Sequence, residues 1–409
     1  MSGEPMRVLI VAENASTRFG GEAIIPYHYY RLLRVRGIDA HLVVHARTRA
    51  ELQTLFPGDE RIHFVEDQLL QKLFFQAGKL LPHRISEATF GLTNQLLTQR
   101  AQRGVVRRLA TEKCVVHQPI PVSPRFPSLL YDLGAPVAIG PLNGGMEYPV
   151  AFRDAETGLS RALIATGRSF TDFANAIFPG KRRAAVVLVA NRRTRDALPS
   201  HLHGRVIELP ENAVDTTQWK PPAAASGDDT NRFVFIGRLV DWKALDVVLE
   251  ALQALPQATL DIIGDGPMLA KWRKFAGSLG LAERVRFHGW LTQAQCSEHL
   301  AGCAALVLPS IYECGGAVVL EAMAMSRPVI ATAWGGPLDY LDASCGILVE
   351  PSSKAALADG FAQAMRRLME SPELRASMGA AGRARLLSEF DWTRKIDRML
   401  EIYQSMLEV

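Results

Sequence analysis

Short apolar runs separated by longer amphipathic stretches recur along this chain, and the alternation starts afresh after residue 231. The first run is RVLIVAE at 7–13, followed by Gly20–Gly21 and a helical pattern that places Ile24, Ile25, Tyr29, Leu32 and Leu33 on one face and ends at Gly37. Another run, His41–His45, closes that unit. A strand buried on both faces needs such an uninterrupted apolar run, and a parallel neighbour needs a helical crossover. Pro26 belongs in the first turn of that helix, where its missing N–H costs nothing. Further strand-like runs stand at Cys114–His117, Val137–Gly140, Val186–Ala190 and Arg205–Leu209.

A polar, Pro- and Ala-rich connector, WKPPAAASGDDTN at 219–231, interrupts the pattern, which then resumes. Phe233–Ile236 reads as a strand, a helix is expected from about Ala244 to Leu255, and strands follow at Leu260–Ile263, Val285–His288, Ala305–Leu308, Pro328–Ala331 and Gly346–Val349. The final stretch, 390–409, is an amphipathic helix carrying Ile396, Met399, Leu400, Tyr403 and Leu407. A chain of 409 residues is too long for one core. The fold class is therefore α/β, with two Rossmann-like halves joined by a linker near 211–231. The boundaries read as 1–212 with 391–409 for the first domain and 213–390 for the second.

Composition narrows the class further. With 48% hydrophobic and 22% charged residues the chain is an ordinary globular one, and a net charge of only +4 gives no case for a nucleic-acid partner. The basic residues are uneven: Lys181, Arg182 and Arg183 form one knot, Arg192, Arg193 and Arg195 another. Each is either a solvated face or a patch for anionic lipid headgroups or a phosphorylated acceptor. Residues 67–110 read as amphipathic helix, with Leu69, Leu70, Leu73, Phe74, Leu80 and Leu81 among basic residues, and favour core packing over a membrane interface. Five cysteines without a CxxC pair argue for a reducing compartment and against disulfides or a zinc site. The short polar N-terminus does not look like a signal peptide, and no run of 18 apolar residues occurs. The expected location is cytoplasmic, with peripheral contact at the inner membrane face left open.

The segment PSIYECGGAVVLEAMAMSRPVIA at 309–331 concentrates the chemistry. Glu313 lies on a loop after a strand, and Glu321 follows after seven residues inside a helical apolar run. The N–H groups of Gly315, Gly316 and Ala317 would lie unpaired at that helix's N-terminus, suited to an anionic or hydroxyl-rich ligand that approaches the glycines closely. This Glu-x7-Glu pattern, with EAMA, PVIA and Gly335–Gly336 after it, resembles family 4 retaining glycosyltransferases of the GT-B fold. FIGRLVDWKALDVVLEAL, IIGDGP, VRFHGWL, GILVEP and FDWTRKIDRMLEIY extend the resemblance over roughly 205–405, and the first half matches more loosely.

The resemblance implies two Rossmann-like domains facing a cleft, with the C-terminal helix returning to the first, and a hexosyltransferase acting from a UDP- or GDP-sugar on a hydroxyl acceptor, such as a lipid-linked or cell-surface polysaccharide intermediate. Arg238 and Lys243 would hold the diphosphate, Glu321 the ribose, and Glu313 the donor sugar, with main-chain help at Gly315, Gly316, Ala317 and Val318. Gly21 would close over the phosphate, while Asp265, Gly266, His288 and Gly289 would border the base. His117 would contact the donor sugar from the acceptor side, and Asn143 and Glu147, in or after the loop GPLNGG, would touch the acceptor. No Asp-x-Asp pair occurs, so no metal and no cofactor are expected. Two departures stand out: Gly315 replaces the family's bulky residue, leaving sugar identity open, and Ala244 replaces its glycine. A nucleotide-sugar 2-epimerase or a phosphorylase on the same fold, and a non-catalytic subunit, are the alternatives. An NAD dehydrogenase would need G-x-G-x-x-G after the first strand, where AENASTRFGGE stands.

Overall fold

The computed structural model describes residues 5–18, 21–67, 92–155, 173–221 and 229–408. The chain divides into two compact units. One comprises Met1–Gly145, Gly158–Glu211 and Ile396–Val409; the other comprises Met146–Thr157 and Asn212–Lys395.

The first unit is built on seven strands: β1 (Arg7–Val11), β2 (Asp39–His45), β3 (Ile62–Val65), β4 (Cys114–Gln118), β5 (Val137–Leu142), β6 (Val186–Val189) and β7 (Arg205–Glu208). They lie in the order β3-β2-β1-β4-β5-β6-β7, and every pairing is parallel. The second unit has six: β8 (Arg232–Ile236), β9 (Thr259–Ile263), β10 (Val285–Gly289), β11 (Ala305–Leu308), β12 (Val329–Thr332) and β13 (Gly346–Val349). Their order is β10-β9-β8-β11-β12-β13, again parallel throughout. Each sheet thus grows outward in both directions from its first strand, the doubly wound arrangement of a Rossmann-like unit. Strands β4, β5, β6, β11 and β12 are buried at every residue, as their continuous apolar runs require.

Helix Ile24–Val35 carries Pro26 in its first turn, as its φ demands. The edge strand β3 and the short helix Arg49–Leu55 were not anticipated, because both are too brief to show a period. Helix Trp392–Leu407 begins in the second unit, and from Ile396 onward it belongs to the first. Its Ile396, Met399, Ile402, Tyr403 and Met406 are buried, the spacing of a single helix face. The amphipathic residues Leu69 to Leu81, Gly20 and most of the connector, 222–228, lie outside the described residues. None of the helices among the described residues is long and apolar enough to cross a membrane. All five cysteines are free thiols.

Candidate functional site

In a doubly wound sheet the crevice opens at the carboxyl ends of the two strands where the winding reverses. In the second unit these are β8 and β11. β8 leads into Gly237–Lys243, and β11 leads into the loop that carries Glu313. Arg238 is exposed, and no acidic side chain among the described residues pairs with it. The Lys243 ammonium lies over Gly237, 3.7 Å from where a Cβ there would stand. It forms an ion pair with Glu313, both side chains being 14% exposed. A lysine and a carboxylate from opposite sides of the switch point are therefore within one side chain's reach of each other.

Beyond Glu313 the backbone turns sharply. Gly316 has φ +80°, and a Cβ there would stand 3.1 Å from Glu313 Cγ. It caps helix Ala317–Ala324 without a side-chain bond. Among the described residues, no acceptor faces the N–H groups of Gly315, Gly316, Ala317 and Val318. They form a row of free donors with partial positive charge. The loop is held from behind: the Gly336 N–H donates to the Glu313 carbonyl at 2.6 Å. Gly335 (φ +71°) leaves no space for a Cβ, which would come within 2.3 Å of the same oxygen. This explains why Gly335–Gly336 follows β12.

Glu321 lies in the middle of that helix with no hydrogen-bond partner among the described residues. Burial pushes its carboxyl up to about 7. Burial first, and then the Glu321 carboxylate, push the nearby Cys296 thiol up to about 11. Glu321 is thus an acid without a side-chain partner among the described residues, beside the reversal point, its proton poised near neutrality.

The loops after β8 and β9 are stacked. Gly237 N–H donates to the Ile263 carbonyl at 3.0 Å, and Leu239 N–H to the Asp265 carbonyl at 2.9 Å. Asp265 itself is exposed, its carboxylate accepting from Gly266 N–H at 2.6 Å. Gly289 receives the Gly264 N–H at 2.7 Å. Ala244 sits in the left-handed region at φ 48°, ψ 38°, which is the physical reason a glycine suits that position.

Several expected contacts take other partners. His288, expected at the base, donates from Nε2 to Asp261 at 2.8 Å, and Asp261 also holds Arg232 at 3.0 Å and lies 3.4 Å from His299. Burial alone would raise the Asp261 carboxyl, but the bonds from His288 and Arg232 hold it low. These three ligating groups lie within 4.8 Å of one another, yet the guanidinium already neutralises the carboxylate a cation would need. His117 is fully buried. Its Nε2 donates to the Gly140 carbonyl at 2.6 Å, and Nδ1 faces the Tyr403 hydroxyl at 2.7 Å. Both nitrogens are thus bonded within the first unit.

Asn143 is likewise buried, its amide donating to Glu211 at 2.6 Å. Glu147 is exposed and pairs with Arg153 at 3.1 Å. Gly21 is exposed with φ +54° and opens the turn before helix Ile24–Val35. Glu51, which the sequence reading passed over, clamps the loop ahead of it: it accepts from Ser16 Oγ at 2.6 Å and Thr17 N at 2.7 Å. Thirty-five residues of separation hide that pairing.

The first basic knot is not a patch. Lys181 is buried and donates to the Ser123 and Pro124 carbonyls, both at 2.8 Å, and burial pushes its ammonium down to about 7. Arg183 pairs with Asp132 at 2.5 Å. In the second knot Arg195 lies 3.6 Å from Glu208.

Residues 218–385 match the family model of the glycosyl transferases group 1. The chain is 31% identical over 203 residues to the lipopolysaccharide core biosynthesis glycosyltransferase LpsE of Rhizobium meliloti, covering 49% of this chain and 55% of that protein. It is 29% identical over 246 residues to the GDP-mannose-dependent alpha-(1-6)-phosphatidylinositol monomannoside mannosyltransferase of Mycolicibacterium smegmatis, covering 55% and 63%. The chain spans about half the length of the curated relatives it matches. In fold it is similar to Anabaena Alr3699/HepE, solved in complex with UDP, with a TM-score of 0.67 at 17% identity over 98% of this chain and 100% of that one. That likeness places both α/β units in the GT-B class.

Proposed function

We propose that the second unit binds a nucleoside diphosphate sugar and that the chain is a retaining glycosyltransferase. The observation that carries this is the content of the β8/β11 switch point: a free Arg238, Lys243 beside it, a row of unpaired N–H groups and an unpartnered Glu321. Arg238 and Lys243 would take the two phosphates, the guanidinium through a fork of donors. Lys243 would then exchange its ion pair with Glu313 for phosphate, releasing the carboxylate to accept from sugar hydroxyls. Glu321 would grip the ribose diol. The Gly315–Val318 N–H groups would face the hydroxyls or charge of the donor. Asp265, Gly266 and Gly289 would border the base through the stacked loops. Glu147 would meet the acceptor.

In the transfer, the bond from the anomeric carbon to the β-phosphate oxygen breaks. The acceptor oxygen bonds the same carbon from the same face, and its proton passes to the departing phosphate. Catalysis then consists of stabilising the charge on the leaving diphosphate and of positioning. No Asp-x-Asp pair is present to bind a metal, so the reading is metal-independent. The relatives' names support uridine and guanosine donors as the first to try, with a saccharide hydroxyl as acceptor.

The test is nucleotide release by the pure protein from UDP- and GDP-sugars, with and without saccharide acceptors. Acceptor-dependent release that survives excess EDTA is the expected result. Release without acceptor, with an altered free sugar, would mark an epimerase, and no nucleotide binding would mark a non-catalytic subunit.

A further inference from the structure

Residues 146–157 come from the first half of the chain yet belong to the second unit. Their attachment is specific. The Trp334 indole N–H donates to the Glu147 carbonyl at 2.8 Å, and the Tyr312 hydroxyl lies 3.5 Å from the Met146 carbonyl. The rings of Tyr148 and Tyr312 stand 4.9 Å apart at 37°. Phe152 packs on the second unit's core. A Cβ on Gly335 would come within 2.4 Å of Met146 Sδ and 2.3 Å of the Glu313 carbonyl oxygen. The strap therefore lies against the loop that presents Glu313. Tyr148, Tyr312 and Trp334 are each only half-buried, and these three aromatic side chains from three distant segments meet at residues 146–148. Beside them the exposed pair Glu147–Arg153 offers a carboxylate and a guanidinium of cancelling charge.

We propose that this strap is the acceptor subsite, and that it takes the ring of an uncharged saccharide. The proposal rests on the reading of Glu313 as a donor-sugar contact, and extends it to the partner in transfer. A sugar ring has an apolar C–H face and a rim of hydroxyls. Aromatic faces with a polar tip match the first, and a carboxylate beside a guanidinium matches the second. The charge pair breaks the apolar surface that a lipid chain would need, and its net neutrality gives an anionic acceptor no preference. The ring stacks on Tyr148 and Trp334, and its hydroxyls bond Glu147 and Arg153.

Saturation-transfer NMR on the full chain, with UDP or GDP present, tests this with the methyl glycosides of glucose, galactose, mannose and N-acetylglucosamine. At least one is expected to bind. Tyr148→Ala is expected to weaken it at least tenfold, Tyr148→Phe to leave it within twofold, and nucleotide affinity to stay unchanged in both. Should Tyr148→Ala fail to fold, Glu147→Ala and Arg153→Ala, both at exposed positions, serve instead, and a threefold or greater loss is expected from each. Nucleotide binding with no glycoside bound, or glycoside binding indifferent to these substitutions, overturns the proposal. Absence of nucleotide binding would strike the donor reading itself.

Discussion

The two units share one winding order, 3-2-1-4-5-6 with an extra seventh strand in the first, and differ in what each places at its reversal point. In the first unit the polar residues at the carboxyl ends of β4 and β5 are turned inward. His117 spends both nitrogens on Gly140 and Tyr403, and Asn143 spends its amide on Glu211. In the second, among the described residues, the Arg238 and Glu321 side chains have no partner and the Gly315–Val318 N–H groups are unpaired. The same topology thus accommodates inward-bonded polar side chains at one reversal point and unpaired ones at the other. Fold alone does not assign function; the residual hydrogen-bonding and charge capacity of a site does.

The largest expected effect bears on the second unit. Arg238→Ala should lower nucleotide-sugar turnover by roughly 100- to 1000-fold, the loss of one charge-assisted clamp on a leaving group. Steady-state nucleotide release measures it, and a loss under threefold would remove Arg238 from the crevice. The contrast with the first unit is sharpened by His117→Ala. It leaves the Gly140 carbonyl and the Tyr403 hydroxyl without partners and a cavity in the core, and should cost about 3 kcal/mol of stability. Denaturant unfolding gives the cost, while nucleotide affinity stays within twofold. Lost turnover in a stably folded His117→Ala protein would restore the sugar contact that the sequence alone favoured.

Glu321 links stability to pH. Its folded pKa is about 7, raised from 4.5 by burial, so the folded state holds the proton more tightly than the unfolded chain. The stability this contributes is fully present below 4.5 and is lost as pH rises to about 7. Glu321→Gln should therefore be more stable than the parent at pH 8, by about 2 kcal/mol, and nearly equal to it at pH 4. The same substitution should weaken nucleotide binding, because an amide cannot accept from both ribose hydroxyls as a carboxylate does. Thermal melts at the two pH values decide the first point: equal shifts at both would show that the carboxyl is not strained by burial. The smallest effect is at Ala244, whose left-handed backbone penalises a Cβ. Ala244→Gly should stabilise by about 0.5–1 kcal/mol with nucleotide affinity unchanged, read from the same melts.

Much of this was legible beforehand. The parallel strands announced themselves as short apolar runs, since a strand covered on both faces has no polar side to show. Twelve of the thirteen strands overlap the runs at 7–13, 41–45, 114–117, 137–140, 186–190, 205–209, 233–236, 260–263, 285–288, 305–308, 328–331 and 346–349. β3 escaped because four residues at a sheet edge carry no such signature. The residue types of the second crevice were also visible, because the glycines and acids that frame it lie close together in sequence.

What the sequence determined by itself was the kind of elements, their parallel winding and the residues clustered after β8 and β11, all consequences of local pattern and of strands that must be buried. Which polar groups keep their capacity for a ligand was decided only in three dimensions. His117, His288, Asn143 and Lys181 look available in one dimension. They are bonded to Tyr403, Asp261, Glu211 and the carbonyls of Ser123 and Pro124, partners between 27 and 286 residues away. A buried polar group must find such a partner or forfeit its hydration, and only the packed chain settles which groups have done so.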